Sequence, residues 1–201
     1  MAKRVNRDEI DRFHDYSIYI PQRLIYIGSE KYEDGEESGV DGLMAERLVK
    51  NISLLESINA EPIKIIMNNP GGDWYHGMAV YDAIKAAKSH ITVTVYGYAM
   101  SMGSIILQAA DERIMAPNAR LMIHYGTNGS EVTHTKIFEK WAEESKRLNS
   151  EMEQILLEKV HEKQPEFKLK VLKNMLNFDT ILTAKETIEL GLADKILGED
   201  Q

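Results

Sequence analysis

The strongest constraint on the fold is an alternation of short apolar runs with amphipathic helical segments. The runs IKIIM (residues 63–67) and ITVTVY (residues 91–96) have the composition of buried strands. A helical repeat of apolar residues covers residues 40–59 before the first run, and an alanine-rich helical segment, residues 74–88, separates the two. Strands that alternate with helices at this spacing predict βαβ units, a largely parallel sheet and therefore an α/β fold.

Further elements are predicted on both sides of this core. Short strands are expected on either side of Pro21, and later at residues 113–116, 120–124 and 179–182, and a buried helix is expected at residues 102–110.

Two other segments carry local signals. The acidic, glycine-containing stretch EKYEDGEESG (residues 30–39) predicts a solvated loop. Thr183 and Glu186 have the spacing of a capping box at a helix start, and Gly191 is placed to end that helix.

Length and composition limit the classes of protein to which the chain can belong. With 201 residues and a mass of 22.9 kDa, the chain is expected to form a single domain (1–201) in which residues 1–16 are an N-terminal extension. The net charge of −8 disfavours nucleic acid as a partner. The absence of cysteine excludes disulfides, thiolate nucleophiles and cysteine-ligated zinc.

The apolar segments do not indicate a membrane protein. The longest apolar-leaning stretch, residues 99–110, is shorter than the ~20 residues that a membrane helix needs. No secretion signal is recognisable in the first residues, so a cytoplasmic location is expected.

Residues 132–163 have a different pattern. Apolar and small residues recur there in alternating steps of three and four, which is a narrow seam on a long helix. A helix of this length extends ~48 Å at 1.5 Å per residue, longer than a small domain needs. We therefore expect part of it to project from the body and to pack on another chain.

The stretch GYAMSMGS (residues 97–104) places Ser101 between a strand and an apolar helix. Serine is a preferred helix N-cap, and that is the simpler interpretation. A nucleophile is the alternative, because a strand-to-helix junction exposes a hydroxyl and offers backbone N–H groups to an oxyanion. The surrounding residues do not match the G-x-S-x-G elbow of the α/β-hydrolases.

A serine nucleophile needs a base, and His124 is the best placed of the six histidines. It ends an apolar run and precedes a glycine-containing stretch, where a titratable side chain can face a loop. A hydrogen-bonded structural histidine is the alternative. The other histidines lie in polar segments and are interpreted as surface residues.

The motif NNPGG (residues 68–72) follows a buried strand and opens a helix. Consecutive glycines let a backbone approach a ligand closely, although a tight turn is the simpler interpretation. The motif is neither G-x-G-x-x-G nor a P-loop, so we expect no nucleotide or other cofactor, and no metal.

Four blocks in this order carry a family resemblance. They are NNPGG through GMAVYD (residues 68–82), GYAMSMGS (97–104), APNARLMIH (116–124) and the C-terminal FDTILTA through LADKIL (178–197). Together they resemble the proteolytic subunit of the Clp protease (ClpP), over roughly residues 17–197. The resemblance implies a crotonase-like fold of ββα units and a serine endopeptidase.

Position by position, the resemblance implies a role for each motif residue. Ser101 corresponds to the nucleophile, His124 to the general base and Asp179 to the acid that orients the base. The backbone N–H groups of Gly72 and Met102 correspond to the oxyanion hole. Substrate-binding positions are implied at Gly71, Tyr125, Gly126 and Thr127.

The resemblance also implies an assembly. Family members form seven-membered rings that stack into a double ring of fourteen and enclose the active sites. The long helix, about residues 132–163, corresponds to the handle that interlocks the rings. A separate hexameric AAA+ ATPase is the implied unfolding partner, and unfolded polypeptides and peptides are the implied substrates.

Several residues depart from the family pattern. Met100 stands where alanine is usual, next to the nucleophile, and Asn69 replaces the serine before Pro-Gly-Gly. Tyr125 and Gly126 replace the usual Gln-Pro after the histidine. The acidic stretch at residues 30–39 is longer than expected, and the N-terminus lacks an apolar start.

Three alternatives remain open. A phage prohead protease of the same fold would process capsid proteins without an ATPase. A crotonase-fold enzyme would act on acyl-CoA with the same pair of N–H groups. A catalytically silent ring subunit would only assemble.

Overall fold

The structure is a computed structural model that describes residues 7–28, 32–33, 36–37, 39–126 and 134–199. Within these residues the α-helices are α1 (Arg7–Tyr16), α2 (Gly42–Ile58), α3 (Trp74–Ala86), α4 (Met102–Leu107), α5 (Thr135–Lys163), α6 (Leu169–Leu176) and α7 (Ala184–Leu190). The strands are β1 (Ile18–Tyr19), β2 (Leu24–Ile27), β3 (Tyr32–Glu33), β4 (Glu36–Glu37), β5 (Ile63–Asn69), β6 (Ile91–Met100), β7 (Glu112–Met115), β8 (Arg120–Ile123), β9 (Thr180–Thr183) and β10 (Lys195–Ile196).

One mixed sheet organises the fold. Its main order is β1-β2-β5-β6-β7-β10, and every neighbour pair from β2 to β10 is parallel. The parallel strands are joined through helices, as in βαβ units, because a parallel pair needs a long crossover. The predicted α/β fold is confirmed.

Strand β6 is shared between two sets of partners. Its first half pairs with β5 and β7, whereas Tyr98 to Met100 pair in parallel with β8. Gly97 lies between the halves with a φ of +71°, and the Asn68 side chain accepts a hydrogen bond from Tyr98 N–H at 3.2 Å. The bend at Gly97 therefore lets one continuous strand leave β7 and join β8.

Two of the differences from the sequence-based boundaries concern strands. The strand predicted at residues 91–96 continues to Met100, because Gly97 bends the strand without ending it. The predicted acidic loop at residues 30–39 contains a short antiparallel pair, β3 with β4, in its described part.

The core is one hydrophobic cluster that runs from Ile18 to Ala193 and takes alternate residues of β2, β5 and β6, which lie in register on one face of the sheet. Helix α5 joins it only through its C-terminal half, where its buried residues are Met152, Leu156 and Val160. The seam predicted from the sequence consists of Phe138, Trp141, Ser145, Leu148, Met152 and Ile155. Of these, Met152 is buried, whereas Ile155 is only partly buried. At 29 residues and 1.5 Å per residue, α5 is about 43 Å long, so its N-terminal half extends past the core.

The helix signals near the C-terminus are confirmed. Thr183 and Glu186 form a reciprocal capping box at the start of α7, and Gly191 ends the helix with a φ of +93°. None of the helices in the described ranges is long and apolar enough to cross a membrane.

The C-terminal segment is anchored by a buried arginine. Arg113 on β7 is 4% exposed and contacts Asp194 through two nitrogens, at 2.6 and 3.1 Å, while its third nitrogen donates to Gln108 and to Gly191 O. Burial raises the pKa of Asp194, but the hydrogen bonds and charge of Arg113 outweigh it, so that the net pKa is below its usual range. The pair thus ties α7 and β10 to the central sheet.

We predict that Asp194→Ala lowers the free energy of unfolding by about 2–3 kcal/mol at pH 7, because Arg113 loses its charged partner in a buried site. A lowered folded-state pKa stabilises the fold above the unfolded-state pKa of ~3.9, and this contribution is lost as the pH falls through the folded-state value. Urea unfolding at several pH values measures both effects.

Glu189→Ala is the matched control, because Glu189 forms an exposed ion pair with Lys185 at 3.8 Å and should change the free energy by less than ~0.5 kcal/mol. A difference between wild type and Asp194→Ala that stays constant below pH 4 would contradict the prediction.

Candidate active site

The sheet brings three chemically active side chains to one edge. Ser101 follows β6 and His124 follows β8, so the parallel pairing of these strands places both residues at neighbouring carboxyl ends. Asp179 precedes β9, which is antiparallel to β8 with Ile123 opposite Thr180. The next pair in that register is His124 with Asp179.

The three side chains form one hydrogen-bonded chain. His124 Nε2 lies 2.8 Å from Ser101 Oγ, and His124 Nδ1 lies 2.9 Å from Asp179 Oδ1. These distances fit a tautomer in which Nδ1–H donates to the carboxylate and Nε2 accepts from the hydroxyl. The His124 side chain is 22% exposed, whereas that of Asp179 is 71% exposed.

Ser101 occupies the N-cap position of α4 without capping it. Its side chain makes no cap hydrogen bond, and Oγ is directed to His124 instead. Its backbone has a φ of +50°, a costly conformation for a residue with a Cβ. Ser101 N–H donates to Met122 O at 2.9 Å, and Ser104 donates to Ser101 O through both N–H and Oγ.

The glycine turn packs directly against Ser101. A Cβ on Gly71, whose φ is +97°, would lie 2.6 Å from Ser101 Cβ and 2.9 Å from Met102 N. Asn69 is fully buried and holds this turn: its Oδ1 accepts from Gly71 N–H at 2.8 Å and its Nδ2 donates to Gly28 O at 3.2 Å. Asn69 therefore orients the peptide that faces the serine.

Two backbone N–H groups remain available beside Ser101. Gly72 forms a parallel bridge with Val40 through its neighbours, since Val40 N–H donates to Gly71 O and Asp73 N–H to Val40 O. This pairing directs the N–H of Gly72 away from Val40. Met102 is the first residue of α4, where an N–H has no intrahelical acceptor.

A cleft of about 400 Å³ opens at these groups. It lies between α3 and the N-terminal half of α5, and Tyr75 OH donates to Glu144 Oε1 across it at 3.3 Å. Its lining comprises Pro70, Gly72, Asp73, Trp74, Tyr75, Ser101, Met102, Met122, His124, Gly126, Trp141, Glu144, Ser145, Leu148, Asn149 and Met152.

The remaining predicted site residues are distributed differently. Gly126 lines the cleft, and Gly71 lies behind Ser101. Tyr125 directs its hydroxyl to Glu153 at 2.6 Å, so its side chain has a partner on α5. Thr127 lies outside the described residues. Met100 is half-buried on β6 and is not among the described residues that line the cleft.

This arrangement is suited to acyl transfer. An imidazole within hydrogen-bond distance of a hydroxyl can remove its proton, and a carboxylate on the far nitrogen fixes the tautomer. Donors beside the hydroxyl can stabilise the charge of a tetrahedral intermediate.

Comparison with known proteins identifies the family. The family model described as Clp protease matches residues 20–200. The chain is also similar to the ATP-dependent Clp protease proteolytic subunit of Deinococcus radiodurans, at 33% identity over 193 residues that cover 94% of this chain and 87% of the relative. The chain belongs to the Clp protease family.

Membership makes the protein a serine peptidase of the Clp type. The side chains that shape this site were not predicted from the sequence. Asn69 was noted only as a departure, and both tryptophans of the chain, Trp74 and Trp141, line the cleft. The chain has only two tryptophans in 201 residues, and their positions could have indicated an apolar pocket.

We predict that Gly71→Ala lowers peptide hydrolysis at least ~100-fold, because the new Cβ would displace Ser101 and Met102 N, and loss of one oxyanion donor has a cost of this order. Hydrolysis of a fluorogenic peptide measures the effect, and circular dichroism verifies the fold.

Gly198→Ala is the matched control. Gly198 also has a positive φ, of +84°, but a Cβ there would meet no atom within 4 Å. The Gly198→Ala variant should therefore have similar backbone strain but keep its peptidase activity. Equal activities of the two variants would contradict the proposed contact.

Proposed function

We propose that the protein is an endopeptidase that cleaves unfolded polypeptides through Ser101, His124 and Asp179. The observation that carries the proposal is the continuous hydrogen-bonded chain, 2.8 Å from Ser101 Oγ to His124 Nε2 and 2.9 Å from His124 Nδ1 to Asp179 Oδ1. Membership of the Clp protease family supports the same reaction class.

In the proposed reaction, Ser101 Oγ attacks the scissile carbonyl carbon while His124 Nε2 takes the hydroxyl proton. The N–H groups of Gly72 and Met102 donate to the oxyanion. His124 then gives the proton to the leaving amine, and the C–N bond breaks to leave an acyl-enzyme. Water repeats the attack with His124 as base, which releases the acid and restores Ser101.

The cleft supports a peptide substrate. It is open along the edge of the sheet, and its lining combines apolar side chains such as Trp74, Met122 and Leu148 with backbone groups. An extended peptide can place its scissile carbonyl at Ser101 and a side chain against this apolar wall.

We expect Ser101→Ala to abolish hydrolysis of a fluorogenic peptide and labelling by a fluorophosphonate probe, because it removes the hydroxyl that His124 activates. The control is Ser53→Ala on α2, whose hydroxyl only donates to Val49 O. Full hydrolysis by Ser101→Ala would overturn the proposed mechanism.

An assembly is the second part of the proposal: seven-membered rings that stack into a double ring of fourteen and act with a hexameric AAA+ unfoldase. Support comes from the N-terminal half of α5, where Ile137, Phe138 and Trp141 are 50, 51 and 58% exposed. Large apolar side chains side by side on one exposed helix are typical of an interface. The relative from Deinococcus radiodurans is named as a subunit of an ATP-dependent protease.

We predict that the native mass is about fourteen times the 22.9 kDa of one chain. Joint substitution Ile137→Glu and Phe138→Glu should halve it, because charges would replace apolar contacts between rings. Native mass spectrometry measures this. Lys140→Ala, which changes an exposed residue of the same helix half, should leave the mass unchanged. A monomeric wild type would contradict the proposal.

The alternative is a prohead protease of the same fold. Ser101→Ala would inactivate such an enzyme as well, but the enzyme would not use an ATPase. Stimulation of protein degradation by an added unfoldase and ATP favours the Clp assignment, whereas cleavage of a folded capsid precursor without ATP favours the alternative.

A further inference from the structure

Tyr125, the residue after His124, is fixed from two directions. Its backbone N–H donates to Leu176 O, the last residue of α6, at 2.8 Å. Its hydroxyl donates to Glu153 Oε1 on α5 at 2.6 Å. The main chain next to His124 is therefore held by one helix and its side chain by another.

Glu153 is the centre of this contact. Its side chain is 12% exposed, and its second oxygen, Oε2, lies 3.1 Å from Lys173 Nζ on α6. A carboxylate this buried needs partners for its charge, and it has a hydroxyl donor and an ammonium. Burial, together with the hydrogen bond to Glu153, raises the pKa of Tyr125, so the hydroxyl stays protonated and remains a donor.

The C-terminal end of α6 also lies close to the Nδ1 side of His124. Asp179, which contacts His124 Nδ1, lies three residues after Leu176. Thr180 Oγ1 donates to Met175 O at 2.7 Å and fastens the start of β9 to the same helix end. The two groups that flank the imidazole, the Tyr125 backbone and the Asp179 carboxylate, are thus both anchored at the C-terminal end of α6.

We propose that Tyr125 is a positioning residue for His124, which the Glu153–Lys173 pair holds by joining α5 to α6. The proposal rests on the role of His124 given under the proposed function. The hydroxyl of Tyr125 touches no reacting atom; it restrains the backbone on which the imidazole is mounted. A displacement of ~1 Å at a reacting group can cost ~10²-fold in rate, so a restraint at the adjacent residue has a measurable effect.

The test is Tyr125→Phe, which removes one oxygen and keeps the ring. We expect kcat for a fluorogenic peptide to fall about tenfold, equivalent to ~1.4 kcal/mol in the barrier, with KM within about twofold of wild type. Melting temperature and native mass should stay at the wild-type values. Glu153→Leu should lower kcat by a similar factor.

The double variant Tyr125→Phe/Glu153→Leu should be no worse than either single variant, since both remove the same hydrogen bond. Glu153→Gln, which keeps an oxygen acceptor for Tyr125, should restore most of kcat. The controls are Tyr96→Phe, at an exposed tyrosine of β6, and Glu158→Leu, at an exposed glutamate of α5 whose side chain accepts from Gln154. Both should keep wild-type kcat.

Two results would overturn the proposal: a Tyr125→Phe enzyme with kcat within about twofold of wild type, or a fall in kcat matched by an equal fall in Glu158→Leu. Wild type and Ser101→Ala are assayed alongside. Absence of Ser101-dependent hydrolysis in wild type contradicts the proposed function, whereas Ser101-dependent hydrolysis with an unaffected Tyr125→Phe contradicts only the positioning role.

Discussion

The site depends on the parallel pairing of the second half of β6 with β8. Because parallel strands end at the same edge of a sheet, the residue after each strand is brought to its neighbour without any long-range side-chain contact. The pairing of Met100 with Met122 puts Ser101 beside His124, and Ser101 N–H extends the ladder to Met122 O. Pairing of β8 with β9 then adds Asp179. Gly97 is the residue that makes this possible, since β6 has to leave β7 before it can join β8.

The strained serine is the second consequence of this pairing. A strand that ends at Met100 and a helix that begins at Met102 leave one residue for the turn, and Ser101 accepts a φ of +50° there. Two further features stabilise that turn. Gly71 has no Cβ and lets the NNPGG backbone lie against Ser101, and the buried Asn69 side chain holds the Gly71 peptide. Met102 is held as well, because its side chain packs on Gly77 of α3, where a Cβ would lie 2.8 Å from its sulfur. The N–H groups that we propose as oxyanion donors are thus held in place by the fold itself.

Many of the strands and helices could be predicted from the sequence, because they depend on residues that are close together in the chain. The apolar run of β5 and the first half of β6 fix the sheet, and the capping box of α7 and Gly191 fix a helix within a few residues of chain. What the sequence could not show is which distant partner a polar side chain takes. Asn69 bonds to Gly28 across 41 residues, and Tyr125 bonds to Glu153 across 28. Neither choice follows from periodicity, because each depends on how separate elements pack. The continuation of β6 beyond Gly97 was missed for a related reason: a glycine is typical of a turn as much as of a bend.

Helix α5 joins features that the sheet alone would leave separate. Its residues Trp141, Leu148 and Met152 form one wall of the cleft. The next residue along the chain, Glu153, binds Tyr125 beside His124. On the half that extends past the core, Ile137 and Phe138 are exposed and available to another chain. One helix thus carries both part of the cleft wall and the contact that restrains the backbone beside His124. The high exposure of Asp179 leaves the orientation of the imidazole dependent on such restraints, since a solvated carboxylate holds its partner weakly.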